Sequence, residues 1–238
     1  MRSSIHYRAG NTTLTGVLVC DETRSDRRPG ILVVHGGAGL DAHAEGRARR
    51  LAELGYVVFA CDMYGDGVAG DRQRVMSCIN ELRADRRRLC ERAQAGIAVL
   101  AAHPEVDGRV AAVGYCFGGM TVLELARNGL DLAGVVCVHG SLPTTSPAKP
   151  DSIKPRILVC HGALDPHGPP AHVLAFIEEM NHAAADWQLS LYGGAMHGFT
   201  HETATGQTPG VMYHAASDAR SSAAIQRFLD DLFFANNT

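Results

Sequence analysis

The chain has 238 residues, of which 46% are hydrophobic, and its 22 basic and 25 acidic residues leave a net charge of -3. This length can bury one sizeable core and no Pro/Gly/Ser-rich linker interrupts it, so we expect a single domain over residues 1–238. The one basic cluster, Arg83 to Arg92, is diluted by Asp85 and Glu91, which argues against nucleic acid as a partner. With no apolar run of membrane-spanning length and no signal-peptide pattern, we expect a cytoplasmic protein without membrane contacts.

Apolar runs bounded by turn residues alternate with helical patterns along the chain. The runs are short and rich in β-branched residues, as in strands buried on both faces of a parallel sheet. The predicted strands are Thr12 to Cys20, Gly30 to His35, Tyr56 to Cys61, Val110 to Val113, Ala133 to His139, Pro155 to His161 and Trp187 to Tyr192. The predicted helices are Asp41 to Leu54, Val75 to Ala102, Met120 to Arg127, Pro170 to His182 and Tyr213 to Phe234.

This alternation predicts an α/β fold with a mostly parallel central sheet and helices on both faces. In such open sheets the ligand lies beyond the carboxyl ends of the strands. The loops that follow strands are therefore where chemistry is expected. Four of them carry suitable residues, at 35–39, 116, 161–166 and 193–198.

The segment Gly-Tyr-Cys-Phe-Gly-Gly at 114–119 joins a predicted strand directly to a predicted helix. That pattern is typical of a nucleophile elbow, in which small residues flank a nucleophile held on a sharp, strained turn. Cys116 takes the place that serine usually occupies. Sulfur attacks as the thiolate, and the positive N-terminal end of the following helix favours that charge.

Asp165 and His197 follow Cys116 in the order nucleophile, acid, histidine, each in a loop after a predicted strand. This is the order of an α/β-hydrolase triad. His197 would exchange the proton, and Asp165 would orient its imidazole. Taken singly, Asp165 before a proline is also typical of a turn, and a histidine between glycines is also typical of a surface. Their order and placement together favour the catalytic interpretation.

Two backbone amides are expected to stabilise an oxyanion beside Cys116. The elbow supplies the N–H of Phe117, and the glycine-rich turn after the second predicted strand supplies a second donor at Gly37.

The other six cysteines lack this activating context. No Cys-x-x-Cys pair is present, which argues against a zinc ribbon and a thioredoxin-like site. No His-Glu-x-x-His motif accompanies the histidines that end strands, so we expect no metal site.

The elbow, the Gly-Ala-Leu-Asp segment ending at Asp165 and the Ala-Met-His-Gly-Phe segment around His197 closely resemble the dienelactone hydrolase (carboxymethylenebutenolidase) family. The resemblance extends over nearly the whole chain, including Asp62 to Gly67 and Tyr213 to Arg220. It implies one α/β-hydrolase domain, without a cofactor, that hydrolyses a lactone or ester through a thioester on Cys116.

Two positions depart from the family pattern. Members that open dienelactones usually carry, directly after the residue matching His35, a glutamate that interacts with the thiol, and this chain has Gly36 there. The family's arginine for the substrate carboxylate corresponds to His201. The thiol must then be ionised by His197, with Glu45 or a loop acid as further candidates.

Further substrate contacts are assigned by position. Arg72 and Arg74 are candidates for an anion contact, although a solvated helix start explains them as well. Tyr64 and His139 follow strands on the expected rim of the pocket. Phe199 is a candidate apolar wall, as is Phe117, and core packing is the alternative for both.

We expect a small-molecule ester or lactone as the partner, and a monomer or weak homo-oligomer. Two alternatives remain open at this point. One is a carboxylesterase with a non-lactone substrate, and the other is a non-catalytic ligand-binding or thiol-sensing homologue.

Overall fold

A computed structural model describes residues 1–235, so the last three residues of the predicted domain lie outside the described part. Fourteen helices and strands are assigned within that range. The strands are β1 Arg2–Ala9, β2 Thr12–Val19, β3 Arg28–Val34, β4 Val57–Cys61, β5 Val106–Tyr115, β6 Gly134–Val138, β7 Arg156–Gly162 and β8 Trp187–Tyr192. The helices are α1 Ala42–Glu53, α2 Arg72–Ala84, α3 Arg86–Ala101, α4 Phe117–Arg127, α5 Pro170–His182 and α6 Ala215–Phe233.

All eight strands form one sheet in the order β1-β2-β4-β3-β5-β6-β7-β8. The strands from β4 through β8 pair in parallel, while β1 and β2 are antiparallel to their neighbours. The inner strands β3, β4 and β6 are buried at every residue, as their unbroken apolar runs predict. The predicted fold class is confirmed.

Helices cover both faces of the sheet because alternate strand residues point to opposite sides. Leu32 and Val34 of β3 pack in the core cluster that α2, α3, α4 and α5 cover. Ile31 and Val33 pack in a second cluster, beneath α1 and α6. Among residues 1–235, no helix is both long and apolar enough to cross a membrane.

The first strand was not predicted, because its exposed side chains are polar. β1 lies at the edge of the sheet and pairs with β2 along its full length, from Arg2 opposite Val19 to Ala9 opposite Thr12. The turn between them contains Gly10 at a φ of 57°. The Gly10-Asn11 dipeptide was the available sign of a hairpin.

The single long helix predicted over Val75 to Ala102 is wrong, since two helices occupy the segment. Asp85 lies between them, and its side chain accepts a hydrogen bond from the Arg88 amide at 3.0 Å, capping α3. Aspartate is a preferred N-cap because it pairs an amide that the helix leaves free. The apolar spacing continues in phase across the break, so periodicity alone could not reveal it.

Candidate active site

Cys116 lies on the turn between the end of β5 and the start of α4, with φ 53° and ψ -110°. A non-glycine residue there is strained, as is typical of nucleophile elbows. The flanking glycines have no room for a side chain. A Cβ on Gly114 would lie 2.0 Å from the Gly118 carbonyl oxygen, and one on Gly118 would lie 2.1 Å from that of Val34. The glycines thus let the turn close against β3 and hold the thiol at the carboxyl edge of the sheet.

Cys116, His197 and Asp165 come together from the loops after β5, β8 and β7. The His197 Nε2 atom lies 3.0 Å from the Cys116 sulfur, and its Nδ1 atom lies 2.9 Å from Asp165 Oδ2. The other oxygen of Asp165 accepts a hydrogen bond of 2.8 Å from the His167 amide. The carboxylate is only 3% exposed, so these contacts fix its orientation and that of the imidazole.

The electrostatics of the group favour a thiolate and an imidazolium. Burial alone would raise the pKa of Cys116, yet the hydrogen bond and charge of His197, with the amides of Gly37 and Phe117, lower it overall. Burial opposes protonation of His197 too, but its bonds to Asp165 and Cys116 raise its pKa to about 10. The pKa of Asp165 falls because His197 outweighs the effect of burial. Burial raises the pKa of the other six thiols.

The two predicted oxyanion donors lie near the sulfur, because the backbone amides of Gly37 and Phe117 both lower the pKa of Cys116. Tyr64 supports the turn from behind, since its hydroxyl donates to the Gly37 carbonyl at 3.2 Å. Tyr64 is 3% exposed and contacts the site through this turn, whereas the sequence analysis placed it on the rim of the pocket.

Two pockets open on either side of the Cys116 and His197 side chains. The larger, about 600 Å³, is called here the Val211 pocket. The smaller, about 350 Å³, is called the Met76 pocket. Besides Cys116 and His197, the Val211 pocket is lined by Gly37, Ala38, Gly70, Arg72, Val75, Gly198, His201, Thr203, Ala204, Thr208 and Val211. The Met76 pocket adds Met76, Ile79, Arg83, Gly140, Ser141, Asp165 and His167.

The two positions that depart from the family pattern face each other. A Cβ on Gly36 would lie 3.7 Å from Cys116 Cβ and 3.7 Å from His201 Nε2, both ordinary contact distances. His201 lines the Val211 pocket, so the imidazole borders the space that a side chain at position 36 would enter. Glu45, proposed as an alternative acid, instead pairs with Arg2 at 2.8 Å.

Within the described part of the chain, one of the remaining residues predicted to contact substrate lines a pocket and the others do not. Arg72 lines the Val211 pocket. Arg74 donates to the Gly67 carbonyl at 2.7 Å, and within the described residues it lines neither pocket. His139 and Phe199 are fully buried and pack edge to face, so they support the site from beneath. Core packing thus accounts for Phe199.

A group of neutral histidines that sequence reasoning missed lies beside the Val211 pocket. The rings of His43 and His201 stack with centroids 3.7 Å apart. The Thr200 hydroxyl bridges His43 Nε2 at 3.0 Å and His139 Nε2 at 2.8 Å. Burial lowers the pKa of His43 to about 2, and it lowers the pKa values of His139 and His201 as well. No set of three or more His, Cys, Asp or Glu side chains within residues 1–235 is arranged to hold a metal ion.

A largely parallel sheet with helices on both faces, and a cysteine, acid and histidine in that chain order at its carboxyl edge, define an α/β-hydrolase. Residues 14–233 match the model of the dienelactone hydrolase family. The chain belongs to that family and is a hydrolase acting on esters. Membership of an enzyme family disfavours the non-catalytic alternative.

Two solved structures are similar over 98% of both chains, each with a TM-score of 0.91. One is named m3DLH and is 38% identical, and the other is a dienelactone hydrolase-like promiscuous phosphotriesterase from metagenomic libraries, 39% identical. An uncharacterized protein of Caenorhabditis elegans is 34% identical over 150 residues, which are 61% of this chain and 95% of that protein.

Proposed function

We propose that this protein hydrolyses small uncharged carboxylic esters or lactones through a thioester on Cys116. In this proposal His197 is the acid and base, Asp165 orients it, and the amides of Gly37 and Phe117 bind the oxyanion. The observation that carries the proposal is the 3.0 Å contact between His197 Nε2 and the Cys116 sulfur on a strained elbow. One sheet spanning β1 to β8 supports a single catalytic domain.

Acylation begins with attack of the Cys116 thiolate on the ester carbonyl carbon. A C–S bond forms, and the carbonyl electron pair moves to the oxygen, which the two amides stabilise. When the tetrahedral intermediate collapses, the bond to the alcohol oxygen breaks. His197 Nε2 gives its proton to that oxygen, leaving a thioester and a neutral imidazole.

Deacylation uses the same groups in reverse. Neutral His197 takes a proton from water, and the resulting hydroxide attacks the thioester carbon. The C–S bond then breaks, releasing the carboxylic acid and restoring the thiolate beside the imidazolium. The overall reaction converts ester and water to carboxylic acid and alcohol. His197 carries out both proton transfers, and the enzyme returns to its starting state.

The lining of the Val211 pocket favours an uncharged substrate. Gly36 places no acid beside the thiol, and burial lowers the pKa of His201, so that imidazole is neutral. Arg72 is exposed, where a charge contact contributes little binding energy. The pocket therefore offers no strong binding partner to a substrate carboxylate, and an ester or lactone without one should bind as well.

The nucleophile is tested with Cys116→Ala, using Cys78→Ala as the matched control because Cys78 is the other partly exposed cysteine. We expect Cys116→Ala to abolish hydrolysis of p-nitrophenyl acetate, and Cys78→Ala to retain it. Mass spectrometry of wild type quenched during turnover should find an acetyl group on the peptide containing Cys116. Wild-type turnover by Cys116→Ala would contradict the proposal.

Substrate charge is tested with the double variant Gly36→Glu/His201→Arg. We expect it to raise the ratio of kcat/KM for a carboxylated dienelactone over an uncharged lactone by roughly tenfold, as expected for a partly buried charge contact. An unchanged ratio would show that other residues set the charge preference. Each single variant serves as a control for the contribution of one side chain.

Phosphotriesters are a second candidate substrate class, favoured by the similarity to a promiscuous phosphotriesterase over 98% of both chains. The same thiolate would attack phosphorus, forming an S–P bond while the P–O bond to the leaving phenol breaks, and the same amides would stabilise the developing charge on the phosphoryl oxygen. Water activated by His197 would then break the S–P bond and release the phosphodiester. Diethyl p-nitrophenyl phosphate tests this class. Release of p-nitrophenol by wild type and its loss in Cys116→Ala would place both reactions at one site.

A further inference from the structure

The two pockets meet at the reacting atoms but have different walls. Cys116 and His197 line both of them. The Val211 pocket otherwise contains the Gly37 turn, whereas the Met76 pocket contains Asp165 and His167, the groups that surround the imidazole. The His167 ring packs edge to face on the ring of His197, with centroids 4.9 Å apart. The Met76 pocket therefore lies on the imidazole side of the thiol.

Helix α2 lines both pockets from one face, with its first turn at one pocket and its later turns at the other. Arg72 and Val75, in its first turn, line the Val211 pocket. Met76, Ile79 and Arg83 share a helix face at spacings of three and four residues, and they line the Met76 pocket. Ile79 forms the ridge between them, because its Cδ1 atom would lie 3.7 Å from a Cβ on Gly37. A substrate bound at Cys116 thus has two separate compartments for its two halves.

The reaction itself distinguishes the compartments. The tetrahedral carbon carries the sulfur, the oxyanion, the acyl chain and the alcohol oxygen. The alcohol oxygen must come within hydrogen-bond reach of His197 Nε2, which protonates it. We propose that the Met76 pocket binds the departing alcohol and that the Val211 pocket binds the acyl chain. This inference rests on the proposed function.

The walls of the Met76 pocket suit a phenolic alcohol. Met76 and Ile79 supply apolar surface, and a thioether packs favourably against an aromatic ring. Arg83 is exposed at this pocket and forms no salt bridge with any of the residues in the described range. Its guanidinium can stack on a ring or pair with an acidic substituent. The volume of about 350 Å³ lies near the lower end for small-molecule sites.

The proposal separates the kinetics of the two steps. After acylation the alcohol has left and water takes its place beside His197, so a change in the Met76 pocket should alter formation of the thioester and should not alter how its hydrolysis depends on the acyl chain. A change in the Val211 pocket should alter the rates of both formation and hydrolysis of the thioester, by an amount that depends on the length of the acyl chain. Stopped-flow measurement of the p-nitrophenol burst and of the following steady state reports the two rates.

Met76→Trp tests the alcohol compartment, because Met76 is 49% exposed and a larger side chain can extend into the pocket without entering the core. We expect the burst rate with p-nitrophenyl acetate to fall roughly tenfold, a steric effect typical of a filled pocket, with the relative deacylation rates of acetyl, butyryl and hexanoyl thioesters unchanged. Thr208→Phe is the matched variant of the Val211 pocket. It should slow deacylation of butyryl and hexanoyl thioesters more than that of the acetyl thioester.

Arg83→Gln provides a second test that adds no bulk. The ratio of burst rates for 4-carboxyphenyl acetate over phenyl acetate should fall about threefold, the size of a partly exposed ion pair. Arg87→Gln, on an 82% exposed side chain outside the pocket, should leave the ratio unchanged.

An unchanged burst rate in Met76→Trp, or an altered acyl-length preference in that variant, would overturn the assignment of the pockets. An unchanged ratio in Arg83→Gln would remove Arg83 from the alcohol site. Absence of any thioester in wild type would count instead against the proposed function, so the two failures are distinguishable.

Discussion

Replacing Asp165 with asparagine tests what keeps Cys116 ionised. The amide keeps the shape of the side chain but removes the negative charge that lies 2.9 Å from His197 Nδ1. His197 then loses a partner that raises its pKa, and its own charge is what lowers the pKa of Cys116. Asp165→Asn should therefore lower the pKa of His197 and raise the pKa of Cys116, which narrows the pH range over which the ion pair exists.

The structure sets the scale of this effect. The pKa of His197 rises from 6.5 to about 10, and at 1.36 kcal/mol per unit this corresponds to about 5 kcal/mol favouring the imidazolium. Asp165 and Cys116 together supply that stabilisation against the opposing effect of burial. Asp165→Asn should therefore cost a few kcal/mol, which lowers the ratio of the ion pair to the neutral pair by roughly one to two orders of magnitude.

The sign of the pH dependence follows from the two shifts. The thiolate forms as pH rises through the lowered pKa of Cys116, so alkylation should be fast well below the free-thiol pKa of about 8.5. The proton on His197 is lost as pH rises through about 10, which removes the acid for the leaving alcohol. Acylation should therefore form a plateau between these limits in wild type.

The assay is the rate of iodoacetamide labelling of the Cys116 peptide against pH, followed by mass spectrometry. Burial raises the pKa of the other thiols, which keeps the reaction selective. In Asp165→Asn the labelling inflection should move toward 8.5. Asp26→Asn, at an exposed ion pair with Arg24, is the control. An inflection at the same pH in wild type and Asp165→Asn would refute the reasoning.

Three stability predictions follow from close contacts, each measured by urea denaturation. Gly114→Ala should destabilise the fold by about 3 kcal/mol or more, because the added Cβ would overlap backbone at 2.0 Å. Gly193→Ala should have an effect within about 0.5 kcal/mol, since no atom lies within 4 Å of the added carbon and the site is exposed. Arg127→Met should cost about 3 kcal/mol, because buried Glu124 and partly buried Glu179 each lose an ion pair, although Glu124 keeps Arg86. Equal stabilities of Gly114→Ala and Gly193→Ala, or a neutral Arg127→Met, would contradict these accounts.

The parts of the site that could be predicted are those set by local chain geometry. A cysteine between glycines at a strand end requires a strained turn, and the Gly114 and Gly118 contacts give the steric reason. Parallel strands bring their carboxyl ends to one edge, so Asp165 and His197 were expected near Cys116. The histidine stack was not predictable, since His43 and Thr200 are 157 positions apart.

The amino-acid sequence by itself determined the fold class, the chain order of nucleophile, acid and histidine, and the elbow that carries Cys116. Those features arise from hydrophobic periodicity and from turns a few residues long. Only the tertiary structure decided that the predicted long helix is broken at Asp85, and that α2 lines both pockets with Met76 on the imidazole side. The tertiary structure likewise decided that Phe199 packs in the core and that Arg74 donates a hydrogen bond to a loop carbonyl. Packing between distant segments selects which side of a helix faces the reacting atoms, and no local pattern encodes that choice.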